Sequence, residues 1–139
     1  MDPFLDANRA LWDRWTHDHA ASAFYDVAGF KAGRQTLRSI ELEELGDVTG
    51  ESLLHLQCHF GLDTLSWARL GARVTGTDLS PESISLALSL SRELNIPAEF
   101  VSCDLYDLPS HLSGEFDIVF TSYGVLHWLR DITAWARII

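Results

Sequence analysis

Asp78 follows the run Arg73-Val74-Thr75-Gly76-Thr77 and lies 17 residues after Gly61. A carboxylate ending a buried strand can accept both hydroxyls of a ribose. The spacing is close to the roughly 20 residues that separate a nucleotide-binding first turn from such an acid. Its other possible role is as a turn or cap aspartate ahead of Ser80-Pro81. Upstream, Gln57-Cys58-His59-Phe60-Gly61 follows an apolar run and reads as a turn whose backbone N–H groups face a ligand. Glycine lets a backbone come close to a ligand, whereas Gln57 and His59 bring side chains, which must point away or make contact. His55, Cys58 and His59 also carry zinc-ligating groups. Strand alternation sets His55 and Cys58 on opposite faces, and no fourth ligand has motif spacing, so we expect no metal. Further on, Ser122-Tyr123-Gly124-Val125-Leu126-His127-Trp128 follows another apolar run. Tyr123 and His127 are candidates for shaping a substrate pocket, and imidazole has a useful pKa for a general base. The alternative for His127 is a ring packed beside Trp128 in a structural turn.

The elements that must hold these residues alternate. Residues 52–57, 73–77, 98–103 and 116–121 read as short apolar strands. Helices are predicted over 62–70 and 81–94, the second with Ser80 as N-cap and Pro81 at its first position. Strands alternating with helices predict an α/β fold with a mainly parallel sheet. Before the first strand, Asp2-Pro3 opens a helix that sets Leu11, Trp12 and Trp15 on one face. Residues 20–33 read as irregular, and 34–45 as a helix with Leu37, Ile40 and Leu45 inward and Gly46 as its stop. After the fourth strand, Asp131 caps a final helix with Ile132, Trp135, Ala136 and Ile139 at helical spacing.

The four strands with their flanking residues resemble the successive motifs of class I S-adenosylmethionine-dependent methyltransferases, over about residues 50–139. That family writes its first turn as acid-x-Gly-x-Gly-x-Gly; here those positions are His55, Gln57, His59 and Gly61, and only the last glycine is kept. The resemblance implies a Rossmann-like sheet with strand order 3-2-1-4 over residues 51–139, preceded by a helical lid or cap over 1–50. The family's further strands are absent from this sequence. That leaves 116–121 as an exposed edge open to self-association, so we expect the amino-terminal portion of a longer design, completed by further chain or by a partner. The implied cofactor is S-adenosylmethionine. Asp78 would take the ribose, Leu79 the adenine face, and Asp104 the adenine amino group, with the backbone N–H of Leu105 on a ring nitrogen. Ser122 would lie beside the cofactor. The turn of Gln57, Cys58, His59 and Gly61 would hold the methionine end, a protonated His59 complementing its carboxylate. The aromatics Trp12, Trp15, Phe24 and Tyr25, with His17 and His19, would cover that edge or pack as core. The implied activity is methyl transfer to a small-molecule acceptor, with His127 and Tyr123 on the acceptor side. Two other readings stay open: a non-catalytic regulatory or assembly subunit that binds S-adenosylmethionine or its demethylated product, and a nicotinamide dehydrogenase, which the missing Gly-x-Gly-x-x-Gly spacing disfavours.

Composition bounds these readings. The 139 residues are 47% hydrophobic and 22% charged, which suits one globular domain. A formal charge of −10 argues against a nucleic-acid partner. No apolar run approaches the roughly 18 residues of a membrane span, and no signal-peptide pattern opens the chain. We expect a cytoplasmic protein in which Cys58 and Cys103 are free, buried thiols.

Overall fold

The computed structural model describes residues 2–139. Four parallel strands form one sheet in the order β3-β2-β1-β4: β1 (Ser52–Leu56), β2 (Arg73–Asp78), β3 (Glu99–Ser102) and β4 (Ile118–Thr121). The chain thus steps outward on one side of β1 and returns to its other side. This reversal opens a crevice beyond the carboxyl ends of β1 and β4, where open α/β sheets bind ligands. Register is set by Leu53 opposite Val74 on one side and Ile118 on the other. Asp117 fixes the start of the β1–β4 pair by accepting from the backbone N–H of Ser52 at 2.8 Å and from its hydroxyl at 3.0 Å.

Leu53, Leu54, His55 and Leu56 are all buried, as expected of a central parallel strand covered on both faces. Leu54 and Leu56 pack on Leu105 and Leu108, while Leu53 meets Trp67, Val74 and Phe120. Helix α4 (Leu62–Arg69) packs on β2, and α5 (Pro81–Glu93) on β2 and β3. Ser80 caps α5 as expected, accepting from Ser83 N. Glycine at 76 is a packing requirement: a Cβ there would come within 2.7 Å of the Phe100 ring and 2.9 Å of Cys58 Sγ.

The amino-terminal segment departs from the sequence reading in two places. Residues 20–33 are not wholly irregular, because Asp26 at φ 46° caps a short helix, α2 (Val27–Lys31). Its Phe30 is fully buried, and the Arg69 guanidinium lies 4.0 Å above the ring. The helix expected over 34–45 is confined to α3 (Ser39–Leu45). The hydroxyl of Thr36 bonds to Asp63 and Ser66, at 2.6 and 2.7 Å, and the chain before α3 is held non-helical against α4. Leu37 is buried, but Ile40, expected inward, is 52% exposed. The long first helix, α1 (Pro3–Ala20), is capped by Asp2 as expected. It lies against α5, with Thr16 buried and its Oγ1 2.6 Å from Ser83 Oγ. Past β3 come a 3-10 turn, Leu105–Asp107, and the short α6 (Leu108–His111). A second 3-10 turn, Leu126–Trp128, precedes α7 (Ile132–Ile138), which Asp131 caps.

Candidate functional site

A cavity of about 660 Å³ lies at the carboxyl edge of the sheet. Gln57, Cys58, His59 and Gly61 line it from the turn after β1, Asp78 and Leu79 from the end of β2, Asp104 and Leu105 from beyond β3, and Ser122 and Tyr123 from beyond β4. His127 is not among the lining residues. It is exposed on the 126–128 turn, with its ring 5.2 Å from that of Trp128, and the indole is the one that faces the cavity.

Asp78 takes the turn role weighed for it and also lines the cavity. Oδ2 accepts the backbone N–H of His59 at 2.8 Å and Oδ1 that of Ser80 at 2.9 Å, so the carboxylate ties the first turn to the end of β2. A carboxylate has about four acceptor sites, and the backbone N–H of Leu79 also acts on this one, so at least one lone pair is left for a ligand. Burial pushes its pKa up, and the backbone N–H bonds oppose that rise. Asp104 uses Oδ1 to cap its own 3-10 turn through Tyr106 N at 3.0 Å. The Tyr106 hydroxyl accepts from Asp131 N at 3.0 Å and donates to Asp131 O at 3.2 Å, which fixes that loop to the start of α7.

The first turn keeps the backbone form that glycines would permit without having the glycines. Gln57 and His59 both have φ 53°, a left-handed conformation that L side chains seldom adopt. Their side chains turn into protein contacts. The Gln57 amide donates to Val125 O at 3.1 Å. The His59 ring lies between two partners, Ser83 Oγ and His19 Nδ1, each at 3.0 Å. Burial, and secondarily His19, lowers the His59 pKa to about 3. This corrects the expectation of a protonated His59 beside a ligand carboxylate: the ring is neutral and anchors α1. Gly61, at φ 80°, starts α4 and lines the cavity; a Cβ there would sit 2.8 Å from Phe100, so packing also requires a glycine here. Burial raises the Cys58 thiol pKa well above its ordinary value and that of Cys103 to about 11, so both stay protonated at neutral pH.

His55 lies beneath the turn, 1% exposed, with Nδ1 2.7 Å from Thr64 Oγ1. Its Nε2 and the Oε1 of Gln57 are buried without a protein partner. Among the described residues no group of three His, Cys, Asp or Glu side chains could hold a metal ion.

Sequence reasoning missed one wall of the cavity. Thr36, Arg38, Glu41 and Asp63 line it, with Glu41 accepting the Tyr123 hydroxyl at 3.2 Å and the Arg38 guanidinium 4.7 Å above the Tyr123 ring. Burial raises the pKa of Asp63. An acid in the first turn of the helix after Gly61 was the available signal for Asp63; nothing local marked Thr36. Trp12, Tyr25, Phe24 and Trp128 also reach the cavity. Trp15 stands behind Trp12 at 5.2 Å, and the exposed His17 pairs with Glu82 at 3.3 Å.

Residues 53–139 match the family model described as "Methyltransferase domain". A ubiquinone biosynthesis O-methyltransferase from Xanthomonas oryzae pv. oryzae is 31% identical over 136 residues, covering 96% of this chain and 53% of the relative. The chain therefore spans about half the length of the curated relatives it matches. Among solved structures, one described as "Conversion of a Disulfide Bond into a Thioacetal Group during Echinomycin Biosynthesis" is 35% identical with a TM-score of 0.61, over 71% of this chain and 42% of the other. A TehB-like SAM-dependent methyltransferase from Corynebacterium glutamicum shares the fold, at 23% identity and TM-score 0.63, over 84% of this chain and 59% of the other.

Proposed function

The chain belongs to the methyltransferase-domain family, and on that premise we propose that it binds S-adenosylmethionine and supports methyl transfer to a small-molecule acceptor. The observation that carries this reading is the convergence of Asp78, Asp104 and the 57–61 turn on one cavity at the switch point of the sheet. The residues fit the cofactor: two carboxylates with spare lone pairs suit a nucleoside's hydroxyls and amino group, and buried acceptor atoms without partners lie beneath the turn. Bound there, the cofactor supplies an electrophilic methyl group carried on a sulfonium. The protein's work is then alignment and exclusion of water, which can account for a large part of such a barrier.

Asp78 would grip the ribose, and Asp104 and the backbone N–H of Leu105 the adenine edge, with Leu79 against its face. Trp12 and Trp128, with ring centroids 5.3 Å apart, both line the cavity. Tyr123, held by Glu41, would orient the acceptor. We assign no proton transfer to His127, which lies outside the lining. The O-methyltransferase names of the relatives favour an oxygen nucleophile. The binding-only reading draws support from the absence of His127 from the cavity. The dehydrogenase reading gives way to the family membership.

Calorimetric titration with S-adenosylhomocysteine, with NADH as control, tests the proposal. Saturable binding of the first alone is expected; no binding of it by the folded chain would overturn the reading.

A further inference from the structure

The wall built by Thr36, Arg38, Glu41 and Asp63 holds one carboxylate that the cofactor reading leaves unused. Asp63 stands in the first turn of α4, where a negative charge suits the helix dipole, and its Oδ1 accepts the Thr36 hydroxyl at 2.6 Å. An ionised carboxylate can only accept. The Thr36 proton therefore goes to Asp63, and the buried Ser66, 2.7 Å from Thr36 Oγ1, donates to Thr36 in turn. This chain of two hydrogen bonds fixes the orientation of the carboxylate. The other oxygen, Oδ2, has no hydrogen-bond partner among the described residues. It is also not one of the unpartnered side-chain atoms sealed from solvent, so it is open to the cavity that Asp63 lines. The neighbouring Glu41 is differently placed, because its Oε2 already accepts Arg38 N at 3.1 Å and the Tyr123 hydroxyl at 3.2 Å.

Methyl transfer to a hydroxyl releases a proton, and the function proposed above, on which this inference rests, names no group to take it. His127 lies outside the lining. Both ring nitrogens of His59 are engaged, His55 is sealed beneath the turn, and Asp78 and Asp104 face the nucleoside. We propose that Asp63 is the catalytic base for an aromatic acceptor bearing a hydroxyl, with Thr36 and Ser66 as its positioning residues. Trp12, Tyr25, Tyr123 and Trp128 line the same cavity and suit a flat ring. The acceptor hydroxyl donates to Oδ2. As its oxygen attacks the methyl carbon, the O–H proton passes to Oδ2 and the O–C bond forms. The C–S bond breaks with its electron pair returning to sulfur, S-adenosylhomocysteine leaves, and Asp63 passes the proton to water. Burial raises the Asp63 pKa and Glu41 acts in the same direction, while the Thr36 hydrogen bond, Arg38 and Arg34 oppose them; Tyr25 is the other titratable group that feels this carboxylate. A carboxyl group tuned upward is the better base near neutral pH.

The test uses the full chain with catechol as the probe acceptor. Calorimetry of catechol against the chain loaded with S-adenosylhomocysteine should show binding that weakens as pH falls and Asp63 takes up a proton. Asp63→Asn still offers Thr36 an oxygen and should keep its affinity for S-adenosylhomocysteine. It should bind catechol about tenfold more weakly, the scale of one hydrogen bond to a charged group, and without that pH dependence. With S-adenosylmethionine, transfer to catechol should fall by about a hundredfold or more in Asp63→Asn, the usual contribution of a general base. Thr36→Val frees the carboxylate to turn, so it should lose less and keep the pH dependence; it serves as the test if Asp63→Asn does not fold, and undiminished transfer in it would count against the assignment. Weaker S-adenosylhomocysteine binding by folded Asp63→Asn would make the residue part of the cofactor seat and overturn the assignment. So would undiminished transfer in that variant, or an unaltered chain that binds S-adenosylhomocysteine but shows no transfer to catechol or no pH dependence in binding it. Failure of the unaltered chain to bind S-adenosylhomocysteine would overturn the cofactor reading as well.

Discussion

Asp78 ties the first turn to the end of β2 and, in the proposed function, also grips a ribose. Its removal should have two separable effects. Asp78→Ala is expected to weaken S-adenosylhomocysteine binding by about 1–3 kcal/mol, the range for hydrogen bonds to a charged group, as read by titration. It should also speed hydrogen exchange at the backbone N–H of His59, which loses its acceptor; unchanged exchange there would show that the tie from turn to strand is dispensable. Gly61 is constrained by packing as well. Gly61→Ala combines a positive φ with a Cβ 2.8 Å from Phe100, so a loss of about 1–3 kcal/mol in urea unfolding is expected. Asp78, Asp104 and the turn were legible in the sequence because a residue at a strand end lies at the ligand edge whatever its partners. The partners of His59 were not: Ser83 and His19 lie 24 and 40 positions away, and no local pattern distinguishes a histidine that faces a ligand from one that anchors a helix.

At the scale of elements, α1 is held to the body by a short polar seam. Thr16 meets Ser83, His19 meets His59, and Ser80 donates to Asp13 at 2.5 Å. The seam depends on a neutral His59. Its folded pKa of about 3 lies below the ordinary 6.5, so the unfolded chain takes up the proton first. Stability from this group is therefore full above pH 6.5 and lost as pH falls toward 3, at up to ~1.4 kcal/mol per unit. His55 acts in the same direction, whereas the burial-raised Asp63 and Asp78 act in the opposite one. The diagnostic quantity is thus the difference between chains: His59→Gln should unfold in urea with a shallower loss between pH 7 and 5 than the unaltered protein. The elements themselves were predicted unevenly. Strands were found because short apolar runs between turn residues admit few other readings. The segment before α3 was misread because Leu37, Ile40 and Leu45 mimic a helical stripe. The Thr36 hydroxyl instead donates to Asp63 and meets Ser66 on a helix that begins 26 residues later, a tertiary choice that outweighs local periodicity.

Across the whole molecule, the order 3-2-1-4 followed from the strand pattern and its family resemblance, and the sheet has it. Among the described residues β4 pairs with β1 alone, and Val119 is 38% exposed. An edge of this kind favours pairing with another chain, and lysine opposes it. We expect concentration-dependent self-association in sedimentation velocity, and its reduction in Val119→Lys; an unchanged profile would exclude this edge as the contact. Among the described residues no helix is long and apolar enough to cross a membrane.

The double hydrogen bond between the Tyr106 hydroxyl and the backbone of Asp131 bears on how a nucleoside would arrive. It holds the loop that presents Asp104 before any ligand is present, so the ordering of that loop belongs to folding and not to association. Capture at this end then carries a small ordering cost.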